Sequence, residues 1–291
     1  MKKILISVLA SVLAATAYAE DVERTIDAAS DGHVEVSNIS GEITVEGWNR
    51  DSVEVTGTIG RNVEELIVER NGNKVLVKVK VPHNSGRGID SELHIKVPQN
   101  SSLNIGAVSA DIDVTDIKGE QSLHTVSGDV TTEHAGGDLK AESVSGDVEV
   151  SGDGADGDTY ASTVSGDVTV SQVGGEVKAE AVSGDVVVDE GSFTRARLET
   201  VNGEITFHAE LKNGGKLDID SVNGDVDVEF SGNASGRFDI ETFNGSIRNC
   251  FGPKAERTSK YAPGLELEFE VGNGKGRTKI STLNGDISIC K

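Results

Sequence analysis

Residues 126–130, 144–148, 164–168 and 182–186 all read VSGDV, and the phrase recurs with small changes on either side of them. Earlier copies are ISGEI at 39–43 and VSADI at 108–112; later ones are VNGEI at 201–205, VNGDV at 222–226, FNGSI at 243–247 and LNGDI at 283–287. From Ala110 to Gly245 the central residues lie 18, 18, 20, 18, 19, 21 and 21 positions apart. A period of this length is one stacked supersecondary unit per repeat, and such units bury their faces only against their neighbours.

Each unit can be numbered from its central residue as zero. Positions +2 and +4 are apolar, as in Val148 and Val150 or Val168 and Val170, and −7 and −5 usually are, as in Leu139 and Ala141 or Leu217 and Ile219. This is two period-2 strands joined at a corner. Glycine at zero suits a bend that needs positive φ or close backbone approach. Ser or Asn at −1 can bond the backbone across the turn, and stacked Asn can form amide ladders. Position −2 is always apolar, and −3 is small from Thr125 through Thr282. That break in alternation marks the bend without assigning the side each residue faces; the apolar residues flanking the corner are assigned to the core.

The expected fold is all-β: a parallel β-solenoid, or β-helix, of about 18–21 residues per rung, right-handed as parallel crossovers prefer. A left-handed triangular helix would need a six-residue period, and a propeller about 40 residues per blade. Residues 20–106 read differently. Alternating runs at 33–36, 42–46, 52–59, 74–81 and 92–97 predict strands, Asn71-Gly72-Asn73 predicts a hairpin, and Pro82 and Pro98 close strands. The segment 62–70 is the sole helix candidate and fits a strand equally well. Residues 20–106 are taken as an antiparallel β region capping the solenoid, and 107–291 as the repeats, with an excursion near 251–264.

Lys2 and Lys3, the apolar stretch 4–15 and Ala17-Tyr18-Ala19 have the form of a signal peptide, with cleavage expected after Ala19. A periplasmic or secreted protein is expected, with no transmembrane segment in the mature chain, since no second apolar run of about 20 residues follows. Without Lys2 and Lys3, 25 Lys+Arg face 49 Asp+Glu, a net charge of −24. Such a surface repels nucleic acid and anionic membranes, keeps an edge-rich β protein soluble and favours cations or a cationic partner.

The acids at +1 are the sharpest candidate site: Asp111, Asp129, Asp147, Asp167, Asp185, Glu204 and Asp225, interrupted at Ser246 and resumed at Asp286. Neighbouring like charges repel by ~1 kcal/mol in bulk water. Either local amides and counterions offset this, as in capped turns, or the ladder holds a divalent cation such as Ca²⁺; the Ca²⁺-binding nonapeptide is absent. The acidic loop 153–158 lacks the spacing of an EF-hand. Cys250 and Cys290 each lie five residues after a corner glycine. An oxidising compartment and an intervening excursion favour a disulfide between them; two full intervening units would hold them too far apart. A redox-active pair is the lesser alternative, without a C-x-x-C spacing.

No catalytic residues and no cofactor are indicated. The six histidines have no metal-ligand spacing, no phosphate loop or nucleophile elbow is present, and no pair of acids stands out. Arg195 and Arg197, taken to lie beside the acidic ladder, are a weak hint of an acid–base face, more simply read as solvated.

The signal-like start, SGEITVEGW at 40–48, ELHIKVP at 92–98 before SSLNI, the serial VSGDV corners and the closing CFGP, YAPG and TLNGDISIC resemble the bacterial putative-adhesin family. This is a β-strand-repeat domain of unknown function in exported proteins, and the likeness covers roughly residues 30–290. It implies a β-solenoid and an envelope location, and brings no catalytic residues. The function expected is a non-enzymatic structural or adhesin-like binding module at the cell envelope, with a protein or glycan of the envelope as partner. The alternatives are a carbohydrate-active β-helix enzyme and a Ca²⁺-stabilised scaffold built on the corner acids.

Overall fold

The computed structural model describes residues 20–83, 87–232, 234–259, 263–272 and 275–291; the signal-like segment 1–19 and part of the 251–264 excursion lie outside them. The described chain is all strand and turn. The first seven strands are β1 (Glu20–Asp27), β2 (His33–Trp48), β3 (Ser52–Ile59), β4 (Glu65–Asn71), β5 (Lys74–Lys80), β6 (Ser91–Pro98) and β7 (Ser102–Thr115). Then come β8 (Gln121–His124), β9 (Val130–His134), β10 (Leu139–Glu142), β11 (Val148–Gly152), β12 (Asp156–Ser165), β13 (Val168–Ser171), β14 (Gly174–Ser183), β15 (Val186–Asn202) and β16 (Ile205–Asn223). The last are β17 (Val226–Phe230), β18 (Gly236–Asn244), β19 (Ile247–Asn249), β20 (Glu256–Arg257), β21 (Leu265–Val271), β22 (Gly276–Asn284) and β23 (Ile287–Cys290).

The repeats stack in parallel register, unit on unit. Val130 pairs with Val148, Val148 with Val168, Val168 with Val186 and Val186 with Ile205. The strands before the corner form a second ladder, Leu139 pairing with Thr159, Thr159 with Val177 and Val177 with Ala196. Positions −7, −5, +2 and +4 from both ladders point inward and are buried, save Ile247 and Asn249 on the end rung, which are partly exposed, so one core runs along the stack. Toward the C-terminal end aromatic rings fill it: Phe193, Phe207, Phe230 and Phe238 follow one another with centroids 6.0–6.1 Å apart, and Phe238 stacks on Phe269 at 4.6 Å.

At both ends the stacking order departs from the chain order. The early corner 39–43 is a full member of the stack, Gly41 pairing with Ala110 and Glu42 with Asp111. On its other side β2 pairs in parallel with β5 and β6, which come later in the chain. The N-terminal region is thus antiparallel only at its margin, where β3 pairs with β6, β1 with β3 and β4 with β5. The 62–70 segment contributes to strand β4, and Gly72 makes the hairpin turn with φ +62°. At the other end β22 inserts between β16 and β18, and β23 between β17 and β19, while β21 closes antiparallel on β18. That insertion sets Cys290 beside Cys250, and the two form a disulfide with Cα atoms 4.9 Å apart.

Candidate functional site

The corner resolves into five rows of residues, each with its own duty. Glycine at zero is dictated by close approach: a Cβ on Gly146 would lie 2.0 Å from the Gly128 carbonyl oxygen, and one on Gly224 1.7 Å from that of Gly203. At −3 the small side chain turns inward, and in several rungs its hydroxyl ties the corner to the preceding rung. Thr125 donates to the Ala110 carbonyl at 3.0 Å, Ser143 to Gly128 at 2.9 Å, Thr163 to Gly146 at 2.8 Å and Thr200 to Gly184 at 3.0 Å. At −1 the asparagines form an amide ladder, Asn223 donating to Asn202 at 3.0 Å and Asn284 to Asn223 and Asn244 to Asn284 at 2.8 Å.

The +1 acids are brought into one line along the exposed outer side of the corner. The Oδ1 of each Asp accepts the backbone N–H of the next rung's +1 residue. The links run from Asp129 to Asp111, Asp147 to Asp129, Asp167 to Asp147, Asp185 to Asp167 and Glu204 to Asp185, at 2.7–3.0 Å. After Asp225 the line continues directly to Asp286, and Ser246, which interrupts the acids in sequence, stands beyond Asp286. One carboxylate oxygen of each linked Asp is therefore engaged in capping. Among the described residues, no group of three or more His, Cys, Asp and Glu side chains is placed to hold a metal ion.

The −2 residues correct the assignment made from sequence. They face outward, because −7, −5 and −3 share the inner side and −2 falls on the opposite one. Val108, Val126, Val144, Val164, Val182, Val201, Val222, Leu283 and Phe243 stack in that order with 38–49% of their surfaces exposed. Nine apolar side chains at strand spacing make a ridge roughly 40 Å long. The signal was present in sequence as the out-of-phase −3/−2 pair, but only parity counted from the inner strand gives its side.

Beside the ridge runs a groove of about 520 Å³. Val164, Val182, Val201 and Val222 form one wall, the small −3 residues Thr163, Ala181, Thr200 and Ser221 the floor, and Glu180, Glu199 and Asp220 at −4 the other wall. A further hollow of about 290 Å³ by Phe243 and Leu283 continues it toward the C-terminal end. The Ser221 hydroxyl is buried in that floor without a hydrogen-bond partner. Burial opposes the charge on Glu180, but hydrogen bonds from Lys178 and Tyr160 outweigh it and hold the carboxyl below the ordinary range. Lys178 sits 2.7 Å from that carboxylate, and its bond to Glu180 raises its own pKa.

A second groove, of about 620 Å³, crosses the outer face of the strands before the corner. Tyr160 lies in it with Lys178 and Lys140 over its ring at 4.9 and 5.6 Å, and burial pushes its phenol up. Lys140, Lys178 and Arg197 are ion-paired with Glu142, Glu180 and Glu199 of their own rungs. Next to them, the −8 positions form a row sorted by sign. Glu120, Asp138, Asp158 and Glu176 come first in stacking order. Arg195, Lys216, Arg277 and Arg237 follow, with Arg277 placed between Lys216 and Arg237 by the inserted strand β22. Arg195 and Arg197 therefore lie on this face and not beside the corner acids. His134 is buried, its Nε2 2.6 Å from the Gly137 carbonyl oxygen.

A family model described as Toastrack DUF4097 matches residues 32–290. No curated protein matches the chain. Among solved structures it is similar to a "putative adhesin" from Bacteroides fragilis, 10% identical over 92% of this chain and 96% of that one, with a TM-score of 0.43. It is similar to a "putative cell adhesion protein" from Clostridium sporogenes, 11% identical over 94% and 99%, TM-score 0.27. A third is a "putative lipid binding protein" from Parabacteroides distasonis, 11% identical over 92% and 96%, TM-score 0.35. No helix among the described residues is long and apolar enough to cross a membrane.

Proposed function

Because this chain belongs to the Toastrack DUF4097 family, whose function is not established, we propose that it is a non-enzymatic binding module exported to the cell envelope. It holds a partner polypeptide along the corner groove. The observation that carries this reading is the ridge of nine apolar side chains exposed in register. An apolar surface of that extent marks an interaction site, and folding does not require it, since each −2 residue points away from the core. The facing wall selects the partner's chemistry: an extended segment with apolar side chains toward Val164, Val182 and Val201 and a basic one toward Asp220, which among the described residues has no ion pair of its own, unlike Glu180 and Glu199. A glycan is the weaker fit, because the groove offers valines where sugar rings stack best on aromatic faces.

The same reading takes the coil as right-handed, with about 18–21 residues per rung, the +1 acids as amide caps that need no cofactor, and the disulfide as a sign of an oxidising compartment. A photoactivatable side chain at position 182 tests the proposal in cells exporting the protein. A discrete protein adduct is expected from position 182 and not from position 149, which faces outward on the strand after the corner. Equal labelling from both positions, or none at 182, overturns it.

A further inference from the structure

The row of −8 side chains carries a second interface, separate from the corner groove. We propose that it joins two copies of this chain in opposite stacking order, about a two-fold axis crossing the row between Glu176 and Arg195. A two-fold interface must be complementary to itself. Four acids followed by four bases meet that condition when the row is reversed. Glu176 then faces Arg195 of the second copy, Asp158 faces Lys216, and the blocks match to their ends. Both copies share one rung spacing, so the match holds along the row.

The row is poorly neutralised within one chain. Arg195 lies 3.8 Å from Glu176 at the junction, and Arg237 3.0 Å from Glu268 at the far end. Among the described residues, Glu120, Asp138, Asp158, Lys216 and Arg277 take part in no ion pair. All eight side chains of the row are exposed. Like charges on neighbouring strands repel, and an opposite block relieves the repulsion in both partners. A polyanion would satisfy the bases but meet the adjoining acids and a chain of net charge −22; a polycation would meet the bases. A second copy satisfies both blocks. That net charge opposes self-association elsewhere on the surface, whereas the row itself carries equal numbers of both signs. The adjoining groove around Tyr160 gives the second copy's side chains room to enter.

Sedimentation equilibrium of the exported full chain tests this. A dimer is expected at about 10 mM salt, with a shift of at least roughly tenfold toward monomer by about 1 M, as the Debye length falls from about 30 to about 3 Å. Arg195→Glu with Lys216→Glu and Arg277→Glu should give a monomer at low salt. So should Asp138→Lys with Asp158→Lys and Glu176→Lys. Mixed in equal amounts, these two variants should form a heterodimer. The charge-conserving Arg195→Lys with Lys216→Arg should dimerise like the parent. A parent that is monomeric at low salt, or dimeric regardless of salt, overturns the proposal. So does failure of the two variants to recombine while each keeps the parent's thermal unfolding curve, or capture of a polyanion such as heparin by a monomeric parent.

Discussion

At Gly146 the structure leaves no room for a methyl group, and Gly146→Ala should lower stability by about 3 kcal/mol, measurable by denaturant unfolding. Gly72 makes the contrasting case. Nothing lies within 4 Å of a Cβ there, and only its φ of +62° resists substitution, so Gly72→Ala should cost about 1 kcal/mol. The corner acids divide in the same manner. Asp147→Asn keeps an oxygen to accept the Asp167 amide and should cost less than Asp147→Ala, which loses about 1 kcal/mol. If capping is the ladder's role, millimolar Ca²⁺ should leave the melting temperature of the parent unchanged. These roles were readable from the sequence because each is local: glycine for the corner, Asn for the amide ladder, acids in series. The direction of −2 was legible only by carrying the parity of −7, −5 and −3 onward, because the strand before the corner runs past the small −3 residue to −1 and the bend comes after it.

The inserted strands β22 and β23 are where chain order stops predicting spatial order. Ser246 looked like a gap in the acid ladder, and the forty residues between Cys250 and Cys290 looked like either an excursion or two rungs. Both follow from one event, the return of the last repeat into the slot between β16 and β18. Nothing in a repeat phrase records the order in which its copies stack, since every copy offers the same pairing edge. The disulfide fastens the end of the returned strand to Cys250, the residue that follows β19. Replacing both cysteines with serine should cost at most about 4 kcal/mol by the loop-closure argument, seen as a lower unfolding midpoint under oxidising conditions that the parent matches only once reduced. The Lys178–Glu180–Tyr160 set is also an element-scale device, binding β12 to β14. Because the folded state lowers the Glu180 pKa, its increment of stability is present above the ordinary carboxylate range. That increment is lost as pH falls through the folded value. Glu180→Gln should flatten that part of the stability–pH curve by less than about 1 kcal/mol, as the side chain is partly exposed.

Over the whole molecule, regular stacking turns single-residue choices into continuous surfaces. One apolar residue per repeat becomes a ridge, one acid becomes a capped ladder, and a change of sign at −8 after Glu176 becomes a split row. The composition showed only the sum, a strongly acidic chain, because counting charges discards the register that sorts them. The proposed binding role gives the −2 ridge to a partner and not to the fold. Its most direct measurement is the thermal unfolding of Val164→Ser with Val182→Ser and Val201→Ser, followed by the position-182-type crosslink moved to the adjacent Val222. A melting temperature close to the parent's is expected, together with loss of the protein adduct. A collapse of the melting temperature, as expected for three core valines, or an adduct that persists undiminished, would contradict it.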